Sequence, residues 1–172
     1  AGFTQGTGTM IPGSTTNPNS VTGLLPNTTY EFYVQADCGA DSSVWSGPFS
    51  FTTPCDPNPI QAPYLESFEG AGFSCWNVTG SAGLNYNWLQ NSGTTPTFAS
   101  GPSAANTGTE YVYTEANNGS IGDTARLESP AISLTGLSNA QLSFAYHMYG
   151  ANIDTLYIQI NDGTGFVTVD TI

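Results

Sequence analysis

A single histidine, His147, lies in the stretch LSFAYHMYG at residues 142–150, next to one of the chain's two methionines. An imidazole can serve as a general base or as a metal ligand, but each role requires further functional residues nearby. A base needs a Ser or Cys nucleophile and an orienting carboxylate at suitable spacing, and a metal site needs further ligands. Neither arrangement surrounds His147 in the sequence. We therefore expect a structural role, with the imidazole hydrogen-bonded within a sheet.

Two carboxylates, Glu66 and Glu69, lie three residues apart in PYLESFEG and could be imagined as the acid and base of a hydrolase. This segment is predicted to be a strand, in which successive side chains point to opposite faces. Residues three apart then lie on opposite faces, and the two carboxylates cannot flank one glycosidic bond. Hydrolysis by this pair is therefore not expected.

A further acidic stretch, NDGTG at residues 161–165, resembles part of a Ca²⁺-binding loop. It lacks the spaced aspartates and the terminal glutamate that supply the ligands of such a loop. An ordinary hairpin turn is the favoured interpretation.

The charge of the chain is strongly one-sided, because Arg126 is the sole cation against thirteen carboxylates and the formal net charge is -12. Phosphate backbones and anionic lipids bind through Lys and Arg, so nucleic acid is excluded as a partner. No apolar run approaches the length of a membrane span, and no membrane insertion is expected. So acidic a surface suits divalent cations such as Ca²⁺, or it serves solubility alone.

Composition predicts an all-β protein, because Gly, Ser, Thr, Asn, Tyr and Phe abound while strong helix formers are scarce. A Pro-rich stretch, TTPCDPNPIQAP at 52–63, divides the chain, since its four prolines stiffen the backbone and remove hydrogen-bond donors. We predict two modules, residues 1–54 and 64–172, joined by a linker at 55–63. The chain begins without Met and ends within a predicted strand, so we expect it to be part of a longer protein.

In the first module, GLLPNTTYEFYVQADCG alternates like a strand whose buried face carries Tyr30, Phe32, Val34 and Ala36. The lead-in LLPNTTY has the spacing of a tyrosine corner, in which the phenol bonds back to upstream backbone. With SSVWSGPFSFTT at 42–53 as the next strand, the module resembles the last strands of a fibronectin type III domain. Such a sandwich has about seven strands, and residues 1–54 have room for about four. Its N-terminal strands are therefore expected to be missing.

The second module contains AQLSFAYHMYGANIDTLYIQIND at 140–162, which predicts two strands that pack on a core around a turn at 150–152. Leu142, Phe144, Tyr146 and Met148 share one predicted face, and Leu156, Ile158 and Ile160 repeat the alternation. The segment resembles the central signature of the MAM domain, an extracellular module of adhesion receptors and secreted proteins. Other landmarks follow the family's order: SFEG at 67–70, CW at 75–76, NWLQNSGTTPT at 87–97, GPS at 101–103, EYVYTEA at 110–116 and GDTARLESPAISL at 122–134.

The MAM resemblance implies a β-jelly roll of two antiparallel sheets. The family's closing strands and its acidic final segment are absent from residues 64–172, so we expect the module to be incomplete at its C-terminal end. Missing strands would leave open sheet edges that another part of the parent protein, or a partner, must cover.

Three cysteines make an odd count. Cys38 and Cys55 lie at opposite ends of the second predicted strand, more than roughly 20 Å apart and beyond disulfide reach. The MAM resemblance implies a disulfide between Cys55 and Cys75, closing a loop of about 20 residues and contributing about 3 kcal/mol. Cys38 is then expected to pair with a cysteine in the missing strands, and disulfide bonding indicates a secreted or cell-surface protein.

A cation site is also implied by the resemblance, because the Glu of the SFEG motif often binds a structural Ca²⁺ or Na⁺ in MAM domains and related jelly rolls. That residue is Glu69 here, and Asn106 is the next ligand candidate. The aspartate that the family often places after GPS is replaced by Ala104, Ala105 and Asn106, which weakens the set of ligands. Structural Ca²⁺ is the cofactor that this pattern suggests.

Aromatic residues raise the alternative of sugar stacking, since jelly rolls are common carbohydrate-binding scaffolds. Trp76 and Tyr113 occupy framework positions of the family and are expected to pack in the core. Tyr86 and Trp88 remain the candidates for stacking against a glycan.

Two patterns suggest glycosylation. Sequons for N-glycosylation occur at Asn27, Asn77 and Asn118; chance gives several in so Asn- and Thr-rich a chain, and they are meaningful only in a eukaryotic protein. The triplet Asp-Thr-apolar occurs three times and resembles the O-glycosylation acceptor of some bacteria that export surface proteins. Its acceptors would be Thr124, Thr155 and Thr171, although these residues also suit strand edges.

Together these features predict a non-catalytic adhesion, interaction or spacer region of a secreted or cell-surface multidomain protein. Its partners would be other proteins or cell-surface components, with glycans as a further class. The alternative is a carbohydrate-binding accessory module attached to an extracellular enzyme. Fold alone does not decide between them.

Overall fold

A computed structural model describes residues 2–13, 15, 17–70, 72–81 and 86–172 of the chain. It forms two compact units, residues 1–59 and residues 60–172, and the division lies within the Pro-rich stretch. The described elements are β-strands and two short 3₁₀ turns, so the prediction of an all-β protein is confirmed. Within the described residues, no helix has the length and apolar character needed to cross a membrane.

The first unit is built on one antiparallel pair, β1 (Thr29–Val34) and β2 (Ser46–Thr52). Aromatic rings face each other across the pair: Tyr30 lies opposite Phe51 and Phe32 lies opposite Phe49. Their ring centroids are 5.9 and 5.4 Å apart, within the range of favourable aromatic pairs. The predicted second strand is therefore shorter than residues 42–53, and it begins at Ser46.

The tyrosine corner predicted at Tyr30 is confirmed by its geometry. The Leu25 backbone N–H donates to the Tyr30 hydroxyl over 2.9 Å, five residues upstream of the ring. Thr53 strengthens the same end of the hairpin, because its hydroxyl donates to the Leu25 carbonyl over 2.6 Å. The phenol thus fixes the lead-in segment against the start of β1.

The second unit consists of strands that pair two by two. In chain order they are β3 (Ile60–Gln61), β4 (Asn77–Gly80), β5 (Leu89–Ser92), β6 (Glu110–Tyr113), β7 (Ala125–Glu128), β8 (Ile132–Ser133), β9 (Tyr157–Asn161) and β10 (Phe166–Thr171). Strand β3 pairs in parallel with β8, whereas β4 with β7, β5 with β6 and β9 with β10 are antiparallel. Two 3₁₀ turns, Gly72–Cys75 and Ala116–Asn118, complete the described elements. The strands are thus those of an all-β module, and their assembly into a full jelly roll stays a prediction.

One contact of the sole cation joins two of these strand pairs. The Arg126 guanidinium carbon in β7 lies 4.0 Å from the centroid of the Phe166 ring in β10. This distance is within the range of a cation–π interaction. The one positively charged side chain of the sequence therefore contacts an aromatic ring. This contact holds the β9–β10 hairpin against the β4–β7 pair.

The prediction of a core strand at residues 142–148 is wrong. Residues 141–149 pair with no strand in the structure, and Leu142, Phe144 and Tyr146 are 72, 46 and 58% exposed. A strand needs a partner for its backbone groups and an apolar layer over its alternating face. Neither lies against this segment in the described part of the chain, where no apolar side chain is fully buried.

We predict that Tyr30→Phe lowers the free energy of unfolding by about 1 kcal/mol, because the Leu25 N–H loses its acceptor while the ring stays in place. The measurement is urea unfolding followed by circular dichroism. Tyr33→Phe is the matched control, since its ring packs edge-on against Phe3 at 5.5 Å and keeps that contact without the hydroxyl. Equal losses in the two variants would contradict the tyrosine corner's contribution.

Candidate functional site

A first carboxylate cluster, the Glu66 cluster, consists of Tyr64, Glu66, Phe68 and Trp76. The Glu66 carboxylate accepts hydrogen bonds from the Tyr64 hydroxyl at 2.6 Å, the Phe68 N–H at 2.8 Å and the Trp76 indole N–H at 3.1 Å. Phe68 also packs on the indole, with 5.2 Å between the ring centroids. A half-buried carboxylate is thereby satisfied by neutral donors alone.

Ionisation in the Glu66 cluster follows from these contacts. Burial raises the pKa of Glu66, but the hydrogen bonds from Tyr64, Phe68 and Trp76 outweigh it, so the pKa lies below its ordinary value of 4.5. Burial and then the bonded, negatively charged Glu66 raise the pKa of Tyr64 to about 12. Glu66 is therefore a firmly ionised hydrogen-bond acceptor, and a general acid working near neutral pH needs the opposite shift.

Glu66 and Glu69 do not lie in a strand, so that part of the prediction is wrong. The backbone from residue 64 to 69 forms no ladder, and Phe68 has a left-handed φ of 59°. The Phe68 N–H turns back to the Glu66 carboxylate, which stabilises a local bend instead of an extended chain. The two carboxylates nonetheless bind different groups, and the structure does not bring them together as a catalytic pair.

The carboxylate of Glu69 forms one half of a reciprocal clasp with Glu110. It accepts from the Thr109 N–H at 2.7 Å, the Thr109 hydroxyl at 2.7 Å and the Glu110 N–H at 2.8 Å. In return, the Glu110 carboxylate accepts from the Gly70 N–H at 2.5 Å and from the Gln90 side-chain amide at 3.0 Å. Hydrogen bonds from the Glu110 backbone and from Thr109 lower the pKa of Glu69. The clasp joins the segment before the first 3₁₀ turn to the start of β6.

Gly108 allows the clasp to close. Its φ is +71°, and a Cβ atom added there would collide with the Glu69 carboxylate. Only glycine meets both demands without strain, because it tolerates a left-handed backbone and leaves room for the oxygen atoms.

The clasp bears on the predicted Ca²⁺ site. A cation cage needs several oxygen acceptors turned towards one point, whereas Glu69 is surrounded by N–H and O–H donors. Asn106 is exposed, and no group of three or more His, Cys, Asp or Glu in the described residues could hold a metal ion. The hydrogen bonds to Glu69 come from donors and supply no ligands to a cation, and Ca²⁺ at Glu69 and Asn106 stays a prediction.

A third carboxylate, Glu115, anchors the loop that follows β5. It accepts from the Thr97 N–H at 3.0 Å and from the Thr97 hydroxyl at 2.8 Å. Asn117 adds a bond from its side-chain amide to the Thr97 hydroxyl at 2.8 Å. The loop is therefore tied to the segment after β6 by a charge-assisted pair of bonds.

The two candidates for sugar stacking, Tyr86 and Trp88, are both half-buried. The Trp88 indole N–H donates to the Ala125 carbonyl over 3.1 Å, which fixes the ring against β7. The Tyr86 ring lies close enough to Gly119 that a Cβ there would collide with it. Each ring therefore has a structural contact, and their role in glycan binding stays a prediction.

The cysteines divide into a bonded pair and one thiol. Cys55 and Cys75 are disulfide-bonded, and both are half-buried. Cys38 is a free, exposed thiol. Cys75 is the last residue of the 3₁₀ turn immediately before Trp76, the indole donor of the Glu66 cluster.

His147 is exposed, and its ring lies beside that of Tyr149 with 6.4 Å between centroids. The predicted hydrogen bonding within a sheet is not found, because the segment forms no strand. No catalytic constellation takes its place in the described residues.

The NDGTG stretch forms the turn between β9 and β10, as predicted. Asp162 accepts from the Thr164 hydroxyl at 2.6 Å and from its N–H at 3.0 Å. Those two bonds lower the pKa of Asp162. The side chain is thus used inside the turn and not as a loop ligand.

The proposed glycosylation acceptors are accessible. Thr124, Thr155 and Thr171 are all exposed, and the Thr155 hydroxyl donates to Asp154 over 3.1 Å. Among the sequons, the Asn77 side-chain amide donates to Glu128 over 3.1 Å. Modification of these residues stays a prediction.

Sequence reasoning missed the groups that complete these sites: Tyr64, Gln90, Thr97, Glu110 and Glu115. Tyr64 lies only two residues from its partner Glu66, whereas the others bond to partners 18 to 41 residues away, which no local motif marks. One general feature of the composition does predict such hydrogen bonds. With a single cation in the chain, most carboxylates must find N–H and O–H donors.

Comparisons with known proteins agree with the sequence landmarks. A family model described as MAM domain, meprin/A5/mu matches residues 67–168. Neuropilin-1a of Danio rerio is 36% identical over 89 residues, 51% of this chain and 10% of the relative. Endoglucanase B of Cellulomonas fimi is 31% identical over 147 residues, 73% of this chain and 14% of the relative. The chain therefore spans a small part of the length of these curated relatives. No solved structure matches it.

We predict that Glu66 makes the fold sensitive to acid. Because its pKa is lower in the folded than in the unfolded chain, the stability it contributes is present above about pH 4.5. That contribution is lost as the pH falls through the folded-state pKa, where the carboxylate gains a proton. The measurement is the free energy of urea unfolding between pH 7 and pH 3.

Two variants test the source of this acid sensitivity. Glu66→Gln should lose about 1 kcal/mol at pH 7 and show a flatter pH dependence, because the charged acceptor is gone. Tyr64→Phe should give an intermediate slope, since one of the three donors is removed. Tyr149→Phe, at an exposed ring, should match the wild type. An unchanged slope in Glu66→Gln would contradict the prediction.

Proposed function

Because this chain belongs to the MAM domain family, whose members are extracellular, non-catalytic modules of the adhesion type, we propose that it is an interaction or spacer region of a secreted or cell-surface multidomain protein. Its partners in this proposal are other proteins or cell-surface components. The resemblance of residues 67–168 to a family of such modules supports the extracellular location.

One observation carries the non-catalytic part of the proposal. The carboxylates of the MAM region that could act in chemistry are used as hydrogen-bond acceptors that hold loops in place: Glu66, Glu69, Glu110 and Glu115. The lowered pKa of Glu66 and of Glu69 is the signature of a bonded, ionised group. An acid or base poised for proton transfer has a pKa near the working pH instead. These four carboxylates therefore have a structural role, because they hold in place the loops at the surface of the module.

The domain organisation belongs to the same proposal. Residues 1–54 supply the last strands of a fibronectin type III domain, and residues 64–172 supply most of a jelly roll. The Tyr30 corner and the β1–β2 hairpin support the first assignment. The order of the strands and the MAM match support the second.

An array of purified secreted and cell-surface proteins tests the proposed function. We predict saturable binding of the fluorescently labelled chain to at least one array protein, with a Kd of roughly micromolar order, as is common for transient interfaces. Excess unlabelled chain serves as the control, because it displaces saturable binding and leaves non-specific adhesion unchanged. Absence of saturable binding would contradict the interaction part of the proposal and leave a spacer region, whereas turnover in a screen of glycoside, ester and peptide substrates would contradict its non-catalytic part.

A carbohydrate-binding accessory module is the second candidate. The 31% identity to Endoglucanase B covers 73% of this chain, more than the match to neuropilin-1a does. The half-buried pair Tyr86 and Trp88 offers two rings near one strand end, which is the kind of platform that sugars use.

A glycan array separates the two candidates. If sugar stacking occurs, we predict specific binding that Trp88→Ala abolishes and that Trp88→Phe partly retains, because Phe keeps an aromatic face while losing the indole N–H. Tyr157→Ala, which removes an exposed ring from β9, is the control and should bind like the wild type. Binding that persists in Trp88→Ala, or silence across the array, would reject this candidate.

A further inference from the structure

The loop between β5 and β6 combines the best-buried and one of the most exposed side chains of the described chain. Thr95 is 9% exposed, whereas Phe98, three residues later, is 97% exposed. An exposed aromatic ring in a soluble module has an unfavourable contact with water over most of its apolar area. Phe98 therefore needs an explanation beyond its own loop.

The backbone around Phe98 is held from both sides. Upstream, the Tyr111 hydroxyl donates to the Gly93 carbonyl over 3.0 Å. At the tip, Thr97 is fixed by Glu115, and the Ser100 hydroxyl donates to the Thr97 carbonyl over 2.8 Å. These bonds hold Thr97 and Ser100, the residues on either side of Phe98 and Ala99, so the backbone at the tip is held in place.

The turn at the tip is itself strained. The Ser100 N–H donates to the Thr97 carbonyl over 3.3 Å, which closes a turn with Phe98 and Ala99 at its centre. Ala99 has a φ of 57°, a region that disfavours residues with a Cβ. Such backbone persists when the surroundings determine it fully, and it is concentrated at binding sites. The turn accordingly fixes the backbone from which the Phe98 side chain projects.

The negative charge of the chain around Phe98 indicates which kind of partner surface would bind there. The Glu115 carboxylate lies directly behind the tip, and the whole chain carries a formal charge of -12. The sole cation, Arg126, is engaged with Phe166. An acidic partner surface would be repelled, while Lys and Arg around an apolar pocket would meet a complementary potential.

We propose that Phe98 is the aromatic anchor of a protein–protein contact, and that the partner presents an apolar pocket rimmed by Lys or Arg side chains. The inference rests on the proposed interaction function and names the site that performs it. Aromatic side chains in well-fixed positions are frequent hot spots, because little conformational entropy is lost on binding.

Selection of a phage-displayed library of random 12-residue peptides on the 172-residue chain tests this proposal. The expected peptides carry aliphatic or aromatic residues next to Lys or Arg. As synthetic peptides they should bind Phe98→Ala at least tenfold more weakly than the wild type. Their affinity should also fall as NaCl rises from 50 to 500 mM, because the rim contacts are ionic.

Three further variants make the result specific. Phe98→Tyr keeps the ring and should bind within about twofold of the wild type, as should Leu65→Ala, which removes another exposed apolar side chain. Thr97→Val removes the hydroxyl that Glu115 and Asn117 hold and should weaken binding to an intermediate degree. Unchanged thermal unfolding of Phe98→Ala shows that the fold is intact.

Several outcomes would overturn the inference: peptides that bind Phe98→Ala within twofold of the wild type, peptides that are acidic, or no selected peptide at all. Peptides insensitive to Phe98 would leave the proposed interaction function standing and place its contact elsewhere. Failure on the protein array would instead count against the proposed interaction function itself.

Discussion

Thirteen carboxylates share a single cation in this chain, and the structure of the MAM region depends on how they are satisfied. A carboxylate that is partly removed from water needs hydrogen bonds or a counter-charge. Because Arg126 lies over the Phe166 ring, the hydrogen bonds to these carboxylates come from backbone N–H groups, hydroxyls, an amide and an indole. Carboxylates thereby become the fixed points around which the loops are arranged.

Hydrogen bonds from neutral donors stabilise the folded chain more than exposed ion pairs would. A hydrogen bond to a charged group contributes about 1.5–3 kcal/mol when formed in the folded protein, whereas an exposed ion pair contributes about 0–1 kcal/mol. Glu66 collects three such bonds within ten residues of chain, and the Cys55–Cys75 disulfide holds the neighbouring turn. The clasp between Glu69 and Glu110 and the bond from Thr97 to Glu115 then fix more distant loops. Loops held at these points leave some side chains exposed at their tips, and Phe98 is one of them.

Sequence patterns predicted the local features and missed the distant ones. The all-β class, the tyrosine corner at Tyr30 and the turn at Asp162 depend on neighbouring residues, so composition and spacing were sufficient. Alternation failed at residues 142–148, because a strand also needs a partner that the pattern does not contain. It failed again at Glu66, where a bond from the Phe68 N–H bends the backbone. The clasp and the Thr97 anchor join residues 18 to 41 positions apart, which no short motif encodes.

The most direct test of this account is a pH titration of carboxyl carbons by NMR, in the folded chain and in the chain unfolded by urea. Neutral donors that bind the ionised form stabilise it, so their removal on unfolding must raise the pKa. We predict that Glu66, Glu69 and Asp162 each titrate at lower pH when the chain is folded. Equal or higher pKa values in the folded chain would contradict it, because the carboxylates would then not be held by the hydrogen bonds on which the loops depend.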